Sequence, residues 1–365
     1  MFYRKFSKLT EVYDWWLIAA VFLLSLFSLA ALYSVGLGRP DTEFIDFKKQ
    51  LVFVCLGLGV MLFVGRFNFS FFRIYTKPFY FFCLLLLLGV LIFGRVIHGT
   101  RGWFVIGNFS FQPVELAKVA VILILALFAS QKARSFKTWG FFAGTIFLVA
   151  LPAVLTMMQP DLGSTLIIGA IWLMTILTAG IKKRYLLGLL VIFLLGFVAA
   201  WFFLFKDYQK DRFLTFIDPA HDAYGGGYNV IQSVIAVGSG QFFGRGLGFG
   251  SQSQLRFLPE NQTDFIFAVI GEELGFVGVT FILILYSILF YRLLLIALKA
   301  SDDFVLFSAL GILALFFAHF LINVGMNIGI MPVTGITLPF LSAGGSSLVV
   351  DFLLIGFAES LNRAR

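Results

Sequence analysis

Long apolar runs separated by short polar segments dominate the chain. A helix needs about 20 consecutive apolar residues to cross a hydrocarbon layer of about 30 Å, and ten runs meet or approach that length. The predicted spans are residues 15–36, 50–65, 79–97, 114–130, 139–157, 162–180, 185–205, 264–291, 304–325 and 345–361. The pattern predicts an all-α, polytopic membrane protein with about ten transmembrane helices. The first span has no small-residue cleavage site, so we expect it to remain as an anchor.

One connection, residues 207–263, is much longer than the others. Its aromatic residues give it material to pack, so a folded cap is expected rather than a disordered linker. Residues 228–237 are predicted to form a short interfacial helix. The glycines of residues 238–250 suit tight turns or a close approach of two backbones. We therefore expect one membrane domain over residues 1–365, with residues 207–263 as a large extracytoplasmic loop inside it.

The composition agrees with a membrane protein and excludes other classes. Hydrophobic residues make up 60% of the chain and charged residues 13%, with a mean hydropathy of +0.97. Soluble proteins are about 45–50% apolar and about 25% charged. Both cysteines lie in apolar runs and the three histidines are far apart, which argues against a disulfide framework and a histidine-built metal site. The net charge of +8 is not gathered on one face, which argues against nucleic-acid binding.

The basic residues instead predict the orientation of the spans. Cytoplasmic loops of membrane proteins are enriched in Lys and Arg. One set of span ends carries 16 of the 27 Lys and Arg residues. These are Arg4, Lys5, Lys8, Arg66, Arg73, Lys77, Lys132, Arg134, Lys137, Lys182, Lys183, Arg184, Arg292, Lys299, Arg363 and Arg365. Both termini are therefore predicted to be cytoplasmic, and the large loop lies on the outer side.

Polar residues at the start of the fourth span form the first candidate site. Glu115 and Lys118 are three residues apart, so they are neighbours on a helix and can pair. A charge inside a span usually faces the bundle interior, a partner or a water-filled cavity. An ion pair that only fixes helix packing is the alternative. Arg101 and Trp103, just before this span, are either cavity residues or ordinary interface anchors.

A second candidate lies at the outer end of the sixth span, in the sequence QPDLGS at residues 159–164. Asp161 is placed to cap the following helix by accepting hydrogen bonds from backbone N–H groups. A role in a polar cavity or in cation binding is the alternative, and Gln159 would share it.

The third candidate is the acid at the end of the large loop. Thr263 or Asp264 falls at the predicted helix start, so a capping carboxylate is one interpretation. Asp264 also lies where the outer loop meets the membrane, which is where a lipid-linked substrate presents its headgroup. At about 100° per residue, Glu273 points nearly opposite to Asp264 on a helix. The two therefore do not make the facing carboxylate pair of a glycoside hydrolase, and a single base is favoured.

The fourth candidate is the segment of residues 323–347, where asparagines, prolines and five glycines interrupt apolar sequence. Irregular backbone at membrane depth is tolerated only when it is buried in protein or lines a cavity. Transporters use the same device, so this segment predicts a polar cavity rather than a reaction. His319, just before it, is expected to be a satisfied hydrogen-bonding group between helices.

At these residues the chain resembles the SEDS family (shape, elongation, division and sporulation). The resemblance covers nearly the whole chain and is greater to the elongation-type RodA branch than to the FtsW division branch. It rests on the blocks FSFQPVELAK, QPDLGSTL, GYNVIQSVIAVGSGQFFGRGLGFGSQSQLRFLPENQTDFIFAVIGEELG and NIGIMPVTGITLPFLSAGGSS.

The resemblance implies a fold, an activity and a partner. SEDS proteins have ten spans and polymerise peptidoglycan strands from lipid II in the bacterial cytoplasmic membrane, with a class B penicillin-binding protein that cross-links them. The family's essential acid, in the TDF motif, falls on Asp264, and a divalent cation (Mg²⁺ or Mn²⁺) matches the family. The candidate substrate and cavity positions are Arg101, Trp103, Glu115, Lys118, Gln159, Asp161, Gln232, Glu260 and Ser346.

Two positions depart from the family pattern. Gln262 stands where relatives commonly have His, and Ala343 stands where an aromatic residue commonly precedes GGSS. If that His assists catalysis or metal binding, this chain works without it.

Three functions were weighed. The first is an inverting, metal-assisted glycosyltransferase in which Asp264 is the general base or a ligand of the cation. Arg101, Lys118 or the cation would then stabilise the pyrophosphate leaving group. The second is a flippase for the lipid-linked precursor, which explains the broken segments but not the long aromatic loop with its terminal acid. The third is a non-catalytic scaffold, for which Asp264 and Arg101 would be dispensable.

Overall fold

Helices make up most of the structure, a computed structural model that describes residues 13–38, 44–97, 99–107, 109–132, 135–203 and 226–363 and the single residues 210, 214 and 218. The described residues form twelve helices and three short strands. The helices are α1 (Trp15–Leu37), α2 (Ile45–Val64), α3 (Phe69–Phe93), α4 (Pro113–Gln131), α5 (Trp139–Met158), α6 (Leu162–Thr178), α7 (Lys183–Phe203), α8 (Gly226–Ser239), α9 (Ser251–Gln254), α10 (Ile266–Leu298), α11 (Asp303–Asn327) and α12 (Ser346–Asn362). The strands are β1 (Arg95–Ile97), β2 (Thr100–Ile106) and β3 (Phe109–Phe111).

Each of the ten predicted spans coincides with one of these helices. Seven helices in the described part of the chain are long and apolar enough to cross a membrane: α1, α2, α3, α4, α5, α10 and α11. Helix α6 is apolar but shorter. The all-α, polytopic class is therefore confirmed, and ten remains the predicted number of spans.

The predicted third span, residues 79–97, was wrong at both ends. Helix α3 begins ten residues earlier, at Phe69, where the Asn68 side chain accepts a hydrogen bond from the Ser70 N–H. Arg73 and Lys77 had broken the apolar run, yet both belong to this first part of the helix. The helix ends before Gly94, whose extended backbone (φ −71°, ψ 147°) leads into strand β1.

A small antiparallel sheet, in the order β1-β2-β3, was not predicted. Arg95 pairs with Trp103 across the first two strands, and Phe104 pairs with Phe111 across the last two. Gly99 (φ +80°) and Gly107 (φ +60°) lie between the strands in the left-handed region that glycine favours. The strands were missed because they are too short to show a clear alternation of apolar and polar residues.

Helix α4 lies at the centre of the bundle, in contact with α3, α5, α6 and α11. Most of its residues from Pro113 to Ala129 are buried. Glu115 and Lys118, in its first two turns, are consequently enclosed by protein on all sides.

Helix α10 is broken at Gly275, where φ is 63° and ψ is −161°. Residues 241–246 of the outer loop pair with the backbone groups around the break. The Phe276 N–H donates to the Gln241 carbonyl (2.9 Å), and the Gly246 N–H donates to the Glu273 carbonyl (2.9 Å). A Cβ on Gly244 would lie 2.2 Å from the Glu273 carbonyl oxygen, so this approach requires glycine.

The two ends of the described chain lie on one face of the bundle. The Arg363 guanidinium stacks over the Tyr13 ring at 4.6 Å, and Arg292 Nε donates to Asp14 Oδ2 at 2.7 Å. This agrees with the prediction that both termini are on the same side of the membrane. That this side is the cytoplasm remains a prediction.

Part of the predicted outer loop, residues 207–263, is described. Helix α8 (Gly226–Ser239) confirms the short helix predicted at residues 228–237. Helix α9 follows the glycine-rich turns. The loop residues Phe213, Phe216 and Tyr224, which were expected to help pack the cap, lie outside the described residues.

Candidate active site

The backbone around Asp264 is held by hydrogen bonds from several elements. The Glu260 carbonyl accepts from the Asp264 N–H at 3.1 Å. The Asp264 carbonyl accepts from Asn323 Nδ2 (3.0 Å) and Asn327 Nδ2 (2.9 Å), both on α11. The half-buried Asp264 side chain lies beside Gly335, where an added Cβ would be 3.6 Å from Oδ2. These contacts fix the position of the Asp264 backbone.

The N-terminus of α10 begins one residue later than the capping interpretation of Thr263 or Asp264 required. Phe265 occupies the N-cap position and its side chain makes no capping bond. Asn327 Oδ1 accepts from the N–H of Ala268 instead, at 3.0 Å. The helix start is therefore capped by a residue of another helix.

Two further acids of α10, Glu272 and Glu273, are fully buried and bind the outer loop. Glu272 Oε1 accepts from the Gln252 N–H at 2.8 Å. Glu273 accepts from Ser34 Oγ at 2.6 Å and from Gln254 Nε2 at 3.3 Å. These structural contacts agree with the expectation that Asp264 and Glu273 do not form a facing carboxylate pair.

The predicted pair of Glu115 and Lys118 is confirmed, with Lys118 Nζ 2.8 Å from Glu115 Oε2. Lys118 Nζ also lies 3.2 Å from His319 Nε2. Because an ammonium group only donates, His319 Nε2 accepts and Nδ1 carries the proton. His319 Nδ1 then donates to the Thr337 carbonyl, 3.1 Å away. The interhelical role predicted for His319 is confirmed, and the network reaches the irregular segment two residues after Gly335.

Asp161 is the N-cap of α6, as the simpler interpretation predicted. Its Oδ1 accepts from the Ser164 N–H at 2.9 Å. Its Oδ2 also accepts from Gln112 Nε2 at 3.2 Å, and the Gln112 N–H donates to Ser346 Oγ at 3.4 Å. Asp161 is therefore more than a local helix cap, because its bond to Gln112 also connects it to Ser346 at the start of α12.

Residues 328–345, between α11 and α12, lie between these groups. A Cβ on Gly163, beside Asp161, would be 3.1 Å from the Thr334 carbonyl oxygen. The next residue, Gly335, contacts Asp264, and Thr337 binds His319. The structure thus brings Asp161, Asp264 and the Glu115–Lys118 pair around a single irregular segment.

Gln159 is completely buried under strand β2. Its Oε1 is without a hydrogen-bond partner among the described residues. A Cβ on Gly102 would lie 3.3 Å from this oxygen, so a glycine is needed for strand β2 to pass over it. Gln159 therefore belongs to the wall between the sheet and α6.

Other candidate residues lie further from Asp264 or contact it only through backbone. Arg101 is exposed, and its Nε donates to the Gly94 carbonyl at the end of α3 (3.2 Å), which is the arrangement of an interface anchor. Trp103 is half-buried on β2 and Gln232 is half-buried on α8. Glu260 is exposed, and its Oε2 accepts from Thr263 Oγ1 at 3.1 Å.

Asn323, Asn327 and Gly335 belong to the segment of residues 323–347 that was predicted to line a polar cavity, but none was expected to contact Asp264, and Gln112 was not predicted. Asn323 and Asn327 follow His319 at intervals of four, which places all three on one face of α11. That polar stripe in an otherwise apolar helix was a usable signal. Gln112 and Gly335 carried no comparable signal, because their partners lie far away in the sequence. The two departures from the family pattern are neighbours, since the Ala343 N–H donates to the Gln262 carbonyl at 2.8 Å.

Fold and site together define a polytopic membrane protein with an acidic, polar site at one end of its helix bundle. The sequence profile of the FtsW/RodA/SpoVE family, described as cell cycle proteins, matches residues 12–365. The chain belongs to this family, which is the SEDS family that its sequence motifs resemble. Within the family, the chain is RodA-like.

Curated relatives match over nearly their whole length. Peptidoglycan glycosyltransferase MrdB of Escherichia coli (strain K12) is 37% identical, with 94% of this chain and 92% of the relative covered. Stage V sporulation protein E of Bacillus subtilis (strain 168) is 38% identical, with 96% and 97% covered.

Two solved structures are similar to this chain over nearly its whole length. One, from a study of the structural coordination of polymerization and crosslinking by a peptidoglycan synthase complex, superposes with a TM-score of 0.81 at 34% identity, covering 96% of this chain and 98% of that one. The rod shape determining protein RodA of Thermus thermophilus superposes with a TM-score of 0.70 at 28% identity, covering 96% and 97%.

Proposed function

We propose that this protein is a peptidoglycan glycosyltransferase that polymerises lipid II into glycan strands, with Asp264 as its general base. The carrying observation is the half-buried Asp264 carboxylate beside Gly335, on a backbone held by hydrogen bonds to Glu260 and to Asn323 and Asn327 of α11. The curated relative named peptidoglycan glycosyltransferase, 37% identical over 94% of the chain, supports the reaction class.

The proposed reaction is a single displacement with inversion. The 4-hydroxyl oxygen of the acceptor sugar attacks the anomeric carbon of the donor sugar while the bond from that carbon to the polyprenyl pyrophosphate breaks. Asp264 accepts the hydroxyl proton as the new glycosidic bond forms. A positioned base of this kind contributes about 10²- to 10⁴-fold to the rate.

The leaving pyrophosphate gains negative charge, which requires a nearby cation. Lys118 is already paired with Glu115, and Arg101 binds the end of α3. In the described part of the chain, no cluster of three or more His, Cys, Asp or Glu side chains could hold a metal ion. Mg²⁺ is often held by one or two carboxylates together with substrate phosphates, so Asp264 would be the single protein ligand in the alternative in which it binds the cation instead of acting as the base. A divalent cation bound there supplies charge neutralisation.

The membrane arrangement and the partner complete the proposal. The face carrying Tyr13 and Arg363 is cytoplasmic, as the distribution of Lys and Arg predicts, and the large loop is outside the bacterial cytoplasmic membrane. The similar structure from a complex that coordinates polymerization and crosslinking favours a class B penicillin-binding protein as the partner.

Glycan polymerisation from purified lipid II tests the proposal. Wild type, Asp264→Asn and the matched control Asp303→Asn, at the N-terminus of α11, are each purified with the cognate penicillin-binding protein. We expect long strands from wild type and Asp303→Asn, no strands from Asp264→Asn, and loss of strands when the divalent cation is chelated. Normal polymerisation by a folded Asp264→Asn complex would overturn the role of Asp264.

A lipid-linked precursor flippase is the second candidate. The irregular residues 328–345 and the buried Glu115–Lys118 pair are features that transporters share. Movement of labelled precursor across vesicle membranes, without strand synthesis by an intact complex, would favour the flippase. A non-catalytic scaffold would do neither, and its Asp264→Asn variant would still complement loss of the gene.

A further inference from the structure

Asn327, the last residue of α11, connects three elements through its completely buried side chain and its main-chain carbonyl. Its Nδ2 donates to the Asp264 carbonyl at 2.9 Å, and its Oδ1 accepts from the Ala268 N–H at 3.0 Å. Ser233 Oγ, on α8, donates to the Asn327 carbonyl at 2.8 Å. Asn327 therefore joins the outer-loop helix α8 to both sides of the α10 start.

The hydrogen bond from the Ala268 N–H to Asn327 Oδ1 takes the place of the side-chain N-cap that α10 lacks. The first N–H groups of a helix have no partner inside the helix and are usually bonded by the side chain at the N-cap. Phe265 occupies that position in α10 and has no side-chain acceptor to offer. Asn327 supplies a side-chain acceptor from α11 to the Ala268 N–H, which also donates to the Phe265 carbonyl (3.0 Å), so the start of α10 depends on α11 as well as on its local turn.

The start of α10 determines where the Asp264 side chain lies, because Asp264 immediately precedes the N-cap. Asn327 holds the carbonyl of Asp264 and the N–H four residues later with the same amide group. Asn323 adds a second bond to the Asp264 carbonyl (3.0 Å) and one to the Ile336 carbonyl (2.7 Å), next to Gly335. The amide of Asn323 thus ties the Asp264 carbonyl to the irregular segment, and the amide of Asn327 ties it to the first turn of α10.

We propose that Asn327 is a positioning residue for Asp264 and that, through Ser233, it makes the position of Asp264 depend on the outer-loop helix α8. The proposal rests on the function proposed above, since positioning matters for the rate only if Asp264 acts in the reaction. Displacement of a reacting group by about 1 Å can lower a rate by about 10²-fold. A change at Asn327 therefore acts on kcat rather than on substrate affinity.

The first experiment compares polymerisation kinetics of Asn327→Ala and Asn327→Asp. The Ala variant loses the side-chain bonds to Asp264, Ala268 and Asn323, and the Asp variant keeps an oxygen for the Ala268 N–H but loses the donor to Asp264 and Asn323. The matched control is Ser308→Ala, which removes a buried polar group from the same helix. We expect kcat to fall by about 10- to 100-fold in both Asn327 variants with KM nearly unchanged, while the control keeps wild-type kinetics.

The second experiment reads the position of residue 264 without using activity. Asp264→Cys is prepared in a chain whose own cysteines are replaced (Cys55→Ser and Cys83→Ala), and its alkylation rate by a small charged thiol reagent is measured. Adding Asn327→Ala is expected to change this rate several-fold, whereas adding Ser308→Ala is not. An unchanged rate overturns the positioning role, even if Asp264 proves not to be the base.

Ser233→Ala tests the link to α8 and also serves if the Asn327 variants fail to fold. It removes only the hydroxyl that binds Asn327, and a several-fold lower kcat at unchanged KM is expected. Wild-type kcat would overturn the dependence on α8. Wild-type specific activity of folded Asn327→Ala would overturn the proposal as a whole, whereas an active Asp264→Asn would show that the proposed function has failed instead.

Discussion

Gly335 contributes the main chain that lies beside the Asp264 carboxylate. Its φ of +71° is in the left-handed region, and a Cβ there would be 3.6 Å from Asp264 Oδ2. Gly180, at the end of α6, has nearly the same φ (+66°), but an added Cβ would meet nothing within 4 Å. Comparing substitutions at Gly335 and Gly180 therefore separates the cost of backbone strain from the effect of filling the space beside the Asp264 carboxylate.

We expect Gly335→Ala and Gly180→Ala to lower the free energy of unfolding by about the same amount, about 1–2 kcal/mol, because each forces an L-residue into the left-handed region. Only Gly335→Ala should reduce polymerisation, since its methyl group occupies space beside Asp264. Thermal unfolding and strand synthesis of the two purified variants check this. Equal activity of the two would mean that substrate does not use this space.

Asp264 could be predicted from its motif and its place at the end of the outer loop, but most of its surroundings could not. Asn327 and Gly335 are 63 and 71 residues further along the chain, and no local pattern specifies such contacts. For Arg101, the motif position does not reveal that the side chain binds the end of α3, and its role in the cavity stays a prediction. Sequence patterns identify candidate groups, and tertiary packing decides which of them meet.

The elements were predicted best where their apolar runs were uninterrupted. Helix α4 occupies Pro113–Gln131, against a predicted 114–130, because its two charges satisfy each other inside the helix. Helix α3 was misplaced because Arg73 and Lys77 interrupt its apolar run. The break at Gly275 was not expected, since it depends on a loop that lies about thirty residues earlier in the sequence.

The buried pair of α4 gives a prediction about stability and function. Lys118→Met leaves Glu115 unpaired in the interior, which should cost about 3–5 kcal/mol of unfolding free energy. The double variant Glu115→Gln/Lys118→Met should recover most of that stability. It should still polymerise poorly, because His319 loses the donor that orients it towards the Thr337 carbonyl. Full activity of the double variant would show that the pair only fixes helix packing.

Contact between the loop and the broken helix gives a second prediction at this scale. Gly244→Ala places a methyl group 2.2 Å from the Glu273 carbonyl oxygen and should cost about 3 kcal/mol or more, or abolish folding. Gly246→Ala is the control, because its φ is also positive (+96°) but its Cβ meets a movable Phe249 ring carbon at 3.3 Å. Comparable thermal unfolding of the two variants would contradict the close backbone approach.

The whole molecule places its two described ends on one face, where Asp14 of α1 binds both Arg292 of α10 and, through its N–H, Glu359 of α12. A second ion pair, Arg73 with Asp302, joins the starts of α3 and α11 at 2.9 Å. The basic span ends that predicted the orientation therefore include residues with specific acidic partners.

Cysteine labelling in intact cells tests the orientation. With the two native cysteines replaced, Glu260→Cys in the outer loop should react with a membrane-impermeant maleimide, because that loop is outside. Lys183→Cys, at the start of α7, should react only after the membrane is permeabilised. The reverse pattern would invert the proposed topology.

The break at Gly275 also determines the depth of the reaction. The part of α10 that follows Gly275 is about 34 Å long at about 1.5 Å per residue, which alone spans the hydrocarbon layer of about 30 Å. The shorter part before Gly275 then stands at the level of the lipid headgroups, and Asp264 stands with it. In the reaction proposed above, the polyprenyl chain of the substrate would stay dissolved in the bilayer while its sugar and pyrophosphate reach the level of Asp264. The growing glycan strand would then extend into water, and none of its sugars would enter the hydrocarbon layer.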